Sequence, residues 1–163
     1  MKDKSRDYDI IIIGAGLVGL SASLLMSRKI ENILVLDNKR EDSFHSLPES
    51  EDPYQGVKSI ALSLSSTKIF EALGIWKDIK KDAAIIEKVH VSSKGDVGSV
   101  VLSASEIGEE VLGYNVANTI LYSSLYRKVK STKIDFQYDS NLEGISCKKD
   151  HVEICFRANN KVK

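Results

Sequence analysis

Residues Tyr8 to Asp37 limit the fold more than any other stretch of the chain. They open with Tyr8-Asp9-Ile10-Ile11-Ile12-Ile13-Gly14-Ala15-Gly16-Leu17-Val18-Gly19, continue through a helical stretch to Lys29, and close with Ile33-Leu34-Val35-Leu36-Asp37. Four isoleucines in a row suit a strand covered on both faces, which places it at the centre of a parallel sheet. The glycines that follow have separate jobs in a dinucleotide-binding βαβ unit. Gly14 allows the tight turn out of the strand, Gly16 lets main chain approach a pyrophosphate, and Gly19 lets the helix lie close on the sheet. The loop of Gly14, Ala15, Gly16, Leu17 and Gly19 leads into a helix whose first turn offers unpaired N–H groups and a positive dipole end.

A glycine pattern alone is weak evidence. Here it follows a buried strand, precedes a helix, and is answered by a second apolar strand ending in an acid 18 residues beyond Gly19. Asp37 is placed to accept hydrogen bonds from an adenosine ribose, and its charge disfavours a 2′-phosphate. A structural turn without a ligand is the competing reading.

The totals exclude several classes. A chain of 163 residues can bury a real core, and its 23 basic residues balance its 23 acidic ones. No basic excess calls for nucleic acid or an anionic membrane surface. Residues 1–7 are a charged lead-in without the apolar stretch of a signal peptide, and no run is long enough to span a bilayer, so a cytoplasmic location is expected. Two cysteines are too few for a disulfide scaffold. With a turn at Lys149-Asp150, Cys147 pairs with Val152 and Cys155 falls on the opposite face, both reduced. His45, His90 and His151 lack metal-ligand spacing.

In chain order, Leu17, Leu20, Leu24 and Leu25 form the apolar stripe of the first helix, and Asn32 suits a left-handed turn before the second strand. Residues 38–58, with Pro48, Pro53 and Gly56, are a long polar connection of the kind that is functional or mobile. It would close over a cofactor or, around Glu49 to Asp52, be a disordered insertion. Lys58 to Ser63 then leads to a helix with Ile69, Phe70 and Leu73 inward, ended by Gly74. Ile75, Trp76 and Ile79 follow on a second, short helix, with Trp76 either core or against a lipid-like ligand. From Ile85 the period becomes two. Val89 and Val91 face Val100 and Leu102 across a turn at Gly95-Asp96-Val97-Gly98, and Tyr114 to Val116 is a further extended piece. Residues 85–116 thus read as a β subdomain inserted into the nucleotide-binding fold. A helix with Ile120, Leu121, Leu125 and Val129 apolar leads to Ile134 to Tyr138, expected as the third parallel strand. Leu142 to Cys147 and Val152 to Phe156 form a hairpin, with Ile145, Cys147, Val152, Ile154 and Phe156 on one face, and Asn159-Asn160 turn into another strand.

The sequence resembles the N-terminal part of the UbiH-like ubiquinone-biosynthesis hydroxylases, among the flavoprotein aromatic hydroxylases that include para-hydroxybenzoate hydroxylase. Four stretches carry the match: Tyr8 to Gly19; Lys58-Ser59-Ile60-Ala61-Leu62-Ser63; Leu73-Gly74-Ile75-Trp76 with Val89-His90-Val91-Ser92; and Leu112-Gly113-Tyr114-Asn115-Val116-Ala117-Asn118. The resemblance implies an α/β, Rossmann-like FAD-binding domain over residues 8–163 with an inserted antiparallel hairpin and a partial β-meander. Gly14, Gly16, Gly19 and Asp37 would hold the ADP half of FAD, with aspartate where relatives usually carry glutamate. Lys58 stands where the family has an arginine near the flavin phosphates, keeping the charge but losing the planar fork, and would otherwise be a solvated lysine. Asn118 stands where relatives place a polar residue beside the flavin, and would otherwise cap its helix.

The Asp-Gly and Gly-Asp-Ala motifs of the family, and its substrate domain, are not in these residues. A fragment of a longer monooxygenase, inactive alone, is therefore expected. The parent would hydroxylate a polyprenylated phenol in ubiquinone biosynthesis using FAD, NAD(P)H and dioxygen. It would work within a possible biosynthetic complex, with at most peripheral contact to the inner membrane. No residue here is a candidate acid or base. The competing readings are an NAD-linked dehydrogenase or reductase and a non-catalytic nucleotide-binding module.

Overall fold

A computed structural model describes residues 6–41, 58–93, 95, 98–158 and 161–162. In order the elements are β1 (Ile10–Ile13), α1 (Leu17–Met26), β2 (Ile33–Leu36), β3 (Ser59–Ser63), α2 (Leu64–Ala72), α3 (Trp76–Lys80), β4 (Ala84–Ile86), β5 (Lys88–Ser92), β6 (Ser99–Ser103), β7 (Gly113–Ala117), α4 (Asn118–Lys130), β8 (Asp135–Gln137), β9 (Ser140–Cys147), β10 (Val152–Ala158) and β11 (Lys161–Val162). The chain divides into two compact units, residues 1–49 with 125–163, and residues 50–124. Most of the 38–58 connection, residues 42–57, lies outside the described residues, as do Asp96 and Val97 of the hairpin turn and Asn159-Asn160.

The first unit holds a parallel sheet in the order β1-β2-β8. The third parallel strand is the one expected at Ile134 to Tyr138. The central strand is not. β1 pairs only with β2 among the described residues, and Ile13 is 48% exposed. The middle place goes to β2, where Ile33, Leu34, Val35 and Leu36 are all buried. A run of β-branched residues thus marked a strand but not its rank in the sheet, because rank depends on which neighbours pair with it.

α1 covers this sheet, ending at Met26 rather than Lys29. Leu20 and Leu24 are buried as expected, whereas Leu25 is exposed and Ser23 takes an inward position. The Ser23 hydroxyl donates to the carbonyl of Leu20 at 2.8 Å, so its burial leaves no unpaired polar group. Asn32 is not left-handed. Among the described non-glycine residues only Asp139 has a positive φ, 50°. The carbonyl of Asn32 instead accepts from the N–H groups of Asp9 and Ile10 at 2.9 and 3.3 Å.

The unit's second sheet is antiparallel, β11-β10-β9. Cys147 pairs with Val152, and both cysteines are exposed free thiols. A bulge between Cys155 and Phe156 sets Phe156 opposite Leu142. Partners directly opposite share a face, so the bulge adds Leu142 to the expected row of Ile145, Cys147, Val152, Ile154 and Phe156.

The second unit has a sheet ordered β3-β7-β4, all antiparallel, with β7 in the middle. The β5–β6 hairpin forms with Val89 opposite Leu102 and Val91 opposite Val100, one apolar face as expected. α2 begins on Ser63, whose side chain accepts from the Ser66 N–H at 3.3 Å, and Gly74 follows it with φ 73°. Phe70 and Leu73 are buried, but Ile69 is 41% exposed and Thr67 is inward in its place. Its hydroxyl, like that of Ser23, is satisfied on its own helix, donating to Leu64 at 2.9 Å. Trp76 is a core residue, 5% exposed and edge-on to Tyr114 with ring centroids 5.0 Å apart.

Candidate nucleotide site

The first unit brings the glycine loop and the acid together. The Gly14 N–H donates to the carbonyl of Leu36 at 2.7 Å, and the Ala15 N–H donates to Oδ2 of Asp37 at 2.7 Å. Asp37 Oδ1 accepts from the Lys39 N–H at 2.8 Å. Main-chain bonds hold the acid from behind: its N–H donates to Gln137 at 3.1 Å, and its carbonyl accepts from Ser140 at 2.9 Å. The pairing of β2 with β8 is what puts Gln137 and Ser140 there.

The glycines differ in what requires them. Gly14 has φ 104°, a conformation strained for any L side chain. A Cβ on Gly19 would collide with the carbonyl oxygen of Gly14, so its absence lets α1 close on the turn. A Cβ on Gly16 would meet nothing within 4 Å among the described residues, so none of them requires glycine there. Gly16 is also the N-cap of α1, and it supplies no side-chain cap. Leu20 is the first residue to donate within the helix, to Gly16 at 2.9 Å. The N–H groups of Gly16, Leu17, Val18 and Gly19 have no partner among the described residues. Val18, 83% exposed, leaves this end of the helix open. Open main chain, four unused donors and no acidic residue in the first turn make a receptor for an anion.

Beside Asp37 lies an open groove of about 450 Å³ lined by Arg40, Glu41, Phe136, Gln137, Tyr138 and Asp139. Phe136 on β8 and Tyr138 just past its end stack with centroids 5.4 Å apart. The Tyr126 hydroxyl bonds to Glu41 at 2.8 Å and to the Tyr138 hydroxyl at 2.9 Å, and Lys130 bonds the same Glu41 oxygen at 2.7 Å. Burial, then the bonds to Tyr138 and Glu41, push the Tyr126 phenol far above the ordinary tyrosine range. The bond to Glu41 raises Lys130. Sequence reasoning missed this cluster. Its one local signal is the alternation Phe136-Gln137-Tyr138, which sets two aromatic rings on one face.

Lys58 and Asn118 belong to the second unit, where they meet through main chain: the Asn118 N–H donates to the Lys58 carbonyl at 2.8 Å. Oδ1 of Asn118 is buried without a hydrogen-bond partner among the described residues. The side-chain oxygen therefore does not cap α4 and remains an unmet acceptor. Among the described residues no group of His, Cys, Asp or Glu could hold a metal ion, and no helix is long and apolar enough to cross a membrane.

The chain is similar to the 3-demethoxyubiquinol 3-hydroxylase of Escherichia coli, 24% identical over 127 residues, covering 78% of this chain and 31% of that protein. It is also similar to the mitochondrial ubiquinone biosynthesis monooxygenase COQ6 of Dictyostelium discoideum, 25% identical over 150 residues, covering 78% and 28%. The chain thus spans less than a third of the length of the curated relatives it matches. The crystal structure of the p-nitrophenol 4-monooxygenase PnpA from Pseudomonas putida has the same fold. It superposes with a TM-score of 0.69 at 14% identity, over 96% of this chain and 37% of that one. A family model described as an FAD binding domain matches residues 7–161, and by that match, over a glycine loop closed on its acid, the chain belongs to the FAD binding domain family.

Proposed function

We propose that this chain supplies the adenosine-diphosphate half-site of an FAD-dependent monooxygenase that hydroxylates a polyprenylated phenol in ubiquinone biosynthesis. The observation that carries the reading is the 2.7 Å bond from the Ala15 N–H to Asp37, which joins a diphosphate receptor to a ribose acceptor. The first unit fits this part of the cofactor. The free N–H groups from Gly16 to Gly19 suit the diphosphate, and the bare Cα of Gly16 allows close approach. Asp37 keeps lone pairs for ribose hydroxyls, since each carboxylate oxygen accepts more than one hydrogen bond. Lys58 and the unpartnered Asn118 Oδ1 are the candidates for the flavin end.

FAD supplies the redox chemistry with NAD(P)H and dioxygen as co-substrates, and this chain's residues bind and orient it. The ubiquinone-pathway names of the two relatives support a phenolic substrate. Two measurements test the reading. Calorimetric titration of the 163-residue chain should detect ADP, and FAD should raise the unfolding temperature more than NAD does. A protein carrying this chain, loaded with FAD, should oxidise NADPH and convert a polyprenylated phenol to a product heavier by one oxygen atom. Preference for NAD over FAD, or hydroxylation by the 163 residues alone, would overturn the proposal.

A further inference from the structure

We infer that Asp37 is a positioning residue as well as a ribose acceptor: its carboxylate clamps the glycine loop into the shape that receives a diphosphate. The inference rests on the nucleotide-site reading above and adds a second role to one of its residues. Ala15 is fully buried between Gly14 and Gly16, and the two flanking residues lack a Cβ. Local sterics leave such a loop a wide choice of backbone angles, so bonds from elsewhere must select one. Two consecutive N–H groups supply them. Gly14 is tied to the Leu36 carbonyl, and Ala15 to the Asp37 carboxylate, at 2.7 Å each.

The clamp is itself rigid. Each oxygen of Asp37 accepts one main-chain N–H, from Ala15 at 2.7 Å and Lys39 at 2.8 Å, which fixes a side chain with only two torsions. Its backbone is strapped to Gln137 and Ser140. The next four N–H groups, from Gly16 to Gly19, are thereby aimed outward and left unused. An aspartate reaches Ala15 from this backbone position at hydrogen-bond distance, which gives the shorter acid a use of its own here.

Electrostatics gives the test its sign. A residue that served only the ribose would, once truncated, leave inorganic pyrophosphate binding unchanged or tighter, because a nearby negative charge is gone. Loss of a loop clamp weakens it. The experiment combines titration of the chain with ADP and with inorganic pyrophosphate, and amide hydrogen exchange at Ala15 and Lys39, in the wild type, Asp37→Ala and Asp37→Asn. Asparagine loses the charge and keeps one acceptor oxygen for two donors, so its amide nitrogen must face the N–H of either Ala15 or Lys39. Asp37→Asn should therefore speed exchange at Ala15 or at Lys39, whichever N–H meets the amide nitrogen, and bind pyrophosphate between the wild type and Asp37→Ala. Asp37→Ala should exchange Ala15 about tenfold faster and bind pyrophosphate about 3- to 10-fold more weakly. Circular dichroism checks that both variants are folded, and the Asp37→Asn comparison stands if Asp37→Ala does not fold. Equal Ala15 exchange in the wild type and Asp37→Ala, or exchange at both Ala15 and Lys39 that is unchanged in Asp37→Asn, overturns the clamp while the nucleotide reading stands. So does pyrophosphate binding by Asp37→Ala that is unchanged or tighter. A wild type that binds neither ligand overturns both.

Discussion

A Cβ on Gly19 would run into the carbonyl oxygen of Gly14 and lie 3.1 Å from its carbon. Backbone cannot yield there without opening the turn between β1 and α1. Gly19→Ala should therefore lower stability by about 1–3 kcal/mol, read as a drop in thermal midpoint. Gly16→Ala meets no atom within 4 Å. It should cost under about 1 kcal/mol while weakening ADP in calorimetric titration. Equal stability losses at the two positions would refute the division of labour.

Val35 lies fully buried in the middle strand, whereas Ile13, at the end of β1, is half exposed. Val35→Ala should cost about 2 kcal/mol in urea unfolding. Ile13→Ala, although it removes more atoms, should cost under about 1 kcal/mol. A larger loss at Ile13 would mean that β1 is covered in solution.

The Tyr126 hydroxyl joins Glu41 to Tyr138, and desolvation followed by those bonds raises its pKa. A phenol whose folded pKa exceeds its unfolded one stabilises the protein fully below the unfolded value. The contribution is lost as pH climbs above the ordinary tyrosine range. Alkaline absorbance titration should show Tyr126 protonated until the protein unfolds. Tyr126→Phe should cost about 1 kcal/mol at neutral pH and flatten the alkaline loss.

His151 sits at the β9–β10 turn, its Nδ1 2.8 Å from Asp150 and its Nε2 3.5 Å from Glu153. The bond to Asp150, then that to Glu153, raises the imidazole, while Lys148 and then His151 lower Glu153. The histidine contribution is complete below its unfolded pKa and lost as pH rises through the folded one. The glutamate contribution is present above its unfolded pKa and lost as pH falls through the folded one. The turn is thus best held in mildly acidic solution. A proton NMR titration of Asp150→Asn should move the His151 midpoint down toward the ordinary histidine range, and an unmoved midpoint would exclude Asp150 as its main partner.

Asn118 Oδ1 is buried and unpartnered among the described residues. Asn118→Ala should leave the stability of the chain unchanged or slightly raised, since it removes an unmet acceptor. It should reduce FAD retention on gel filtration of the flavoprotein. A stability loss of about 1 kcal/mol would instead make Asn118 a helix cap.

Periodicity and glycine placement determined the βαβ unit, both hairpins and the loop-plus-acid motif, because each is set by neighbours close in sequence. They also marked the third parallel strand, although its partner β2 lies about 100 residues away. Asp37 could be matched to a ribose from its place after an apolar strand. Its bond to Ala15, 22 residues away, could not be read that way. Tertiary structure alone decided that β2, not the four-isoleucine strand, is central, since rank in a sheet follows from pairing. It also decided that Ser23 and Thr67 turn inward while Leu25 and Ile69 stay exposed. Hydropathy counts a hydroxyl as outward, but a hydroxyl already bonded to its own helix is buried without loss. The Glu41, Tyr126, Lys130 and Tyr138 cluster was invisible for the same reason: its members are up to 97 residues apart, and only packing supplies the partners that let polar groups leave water.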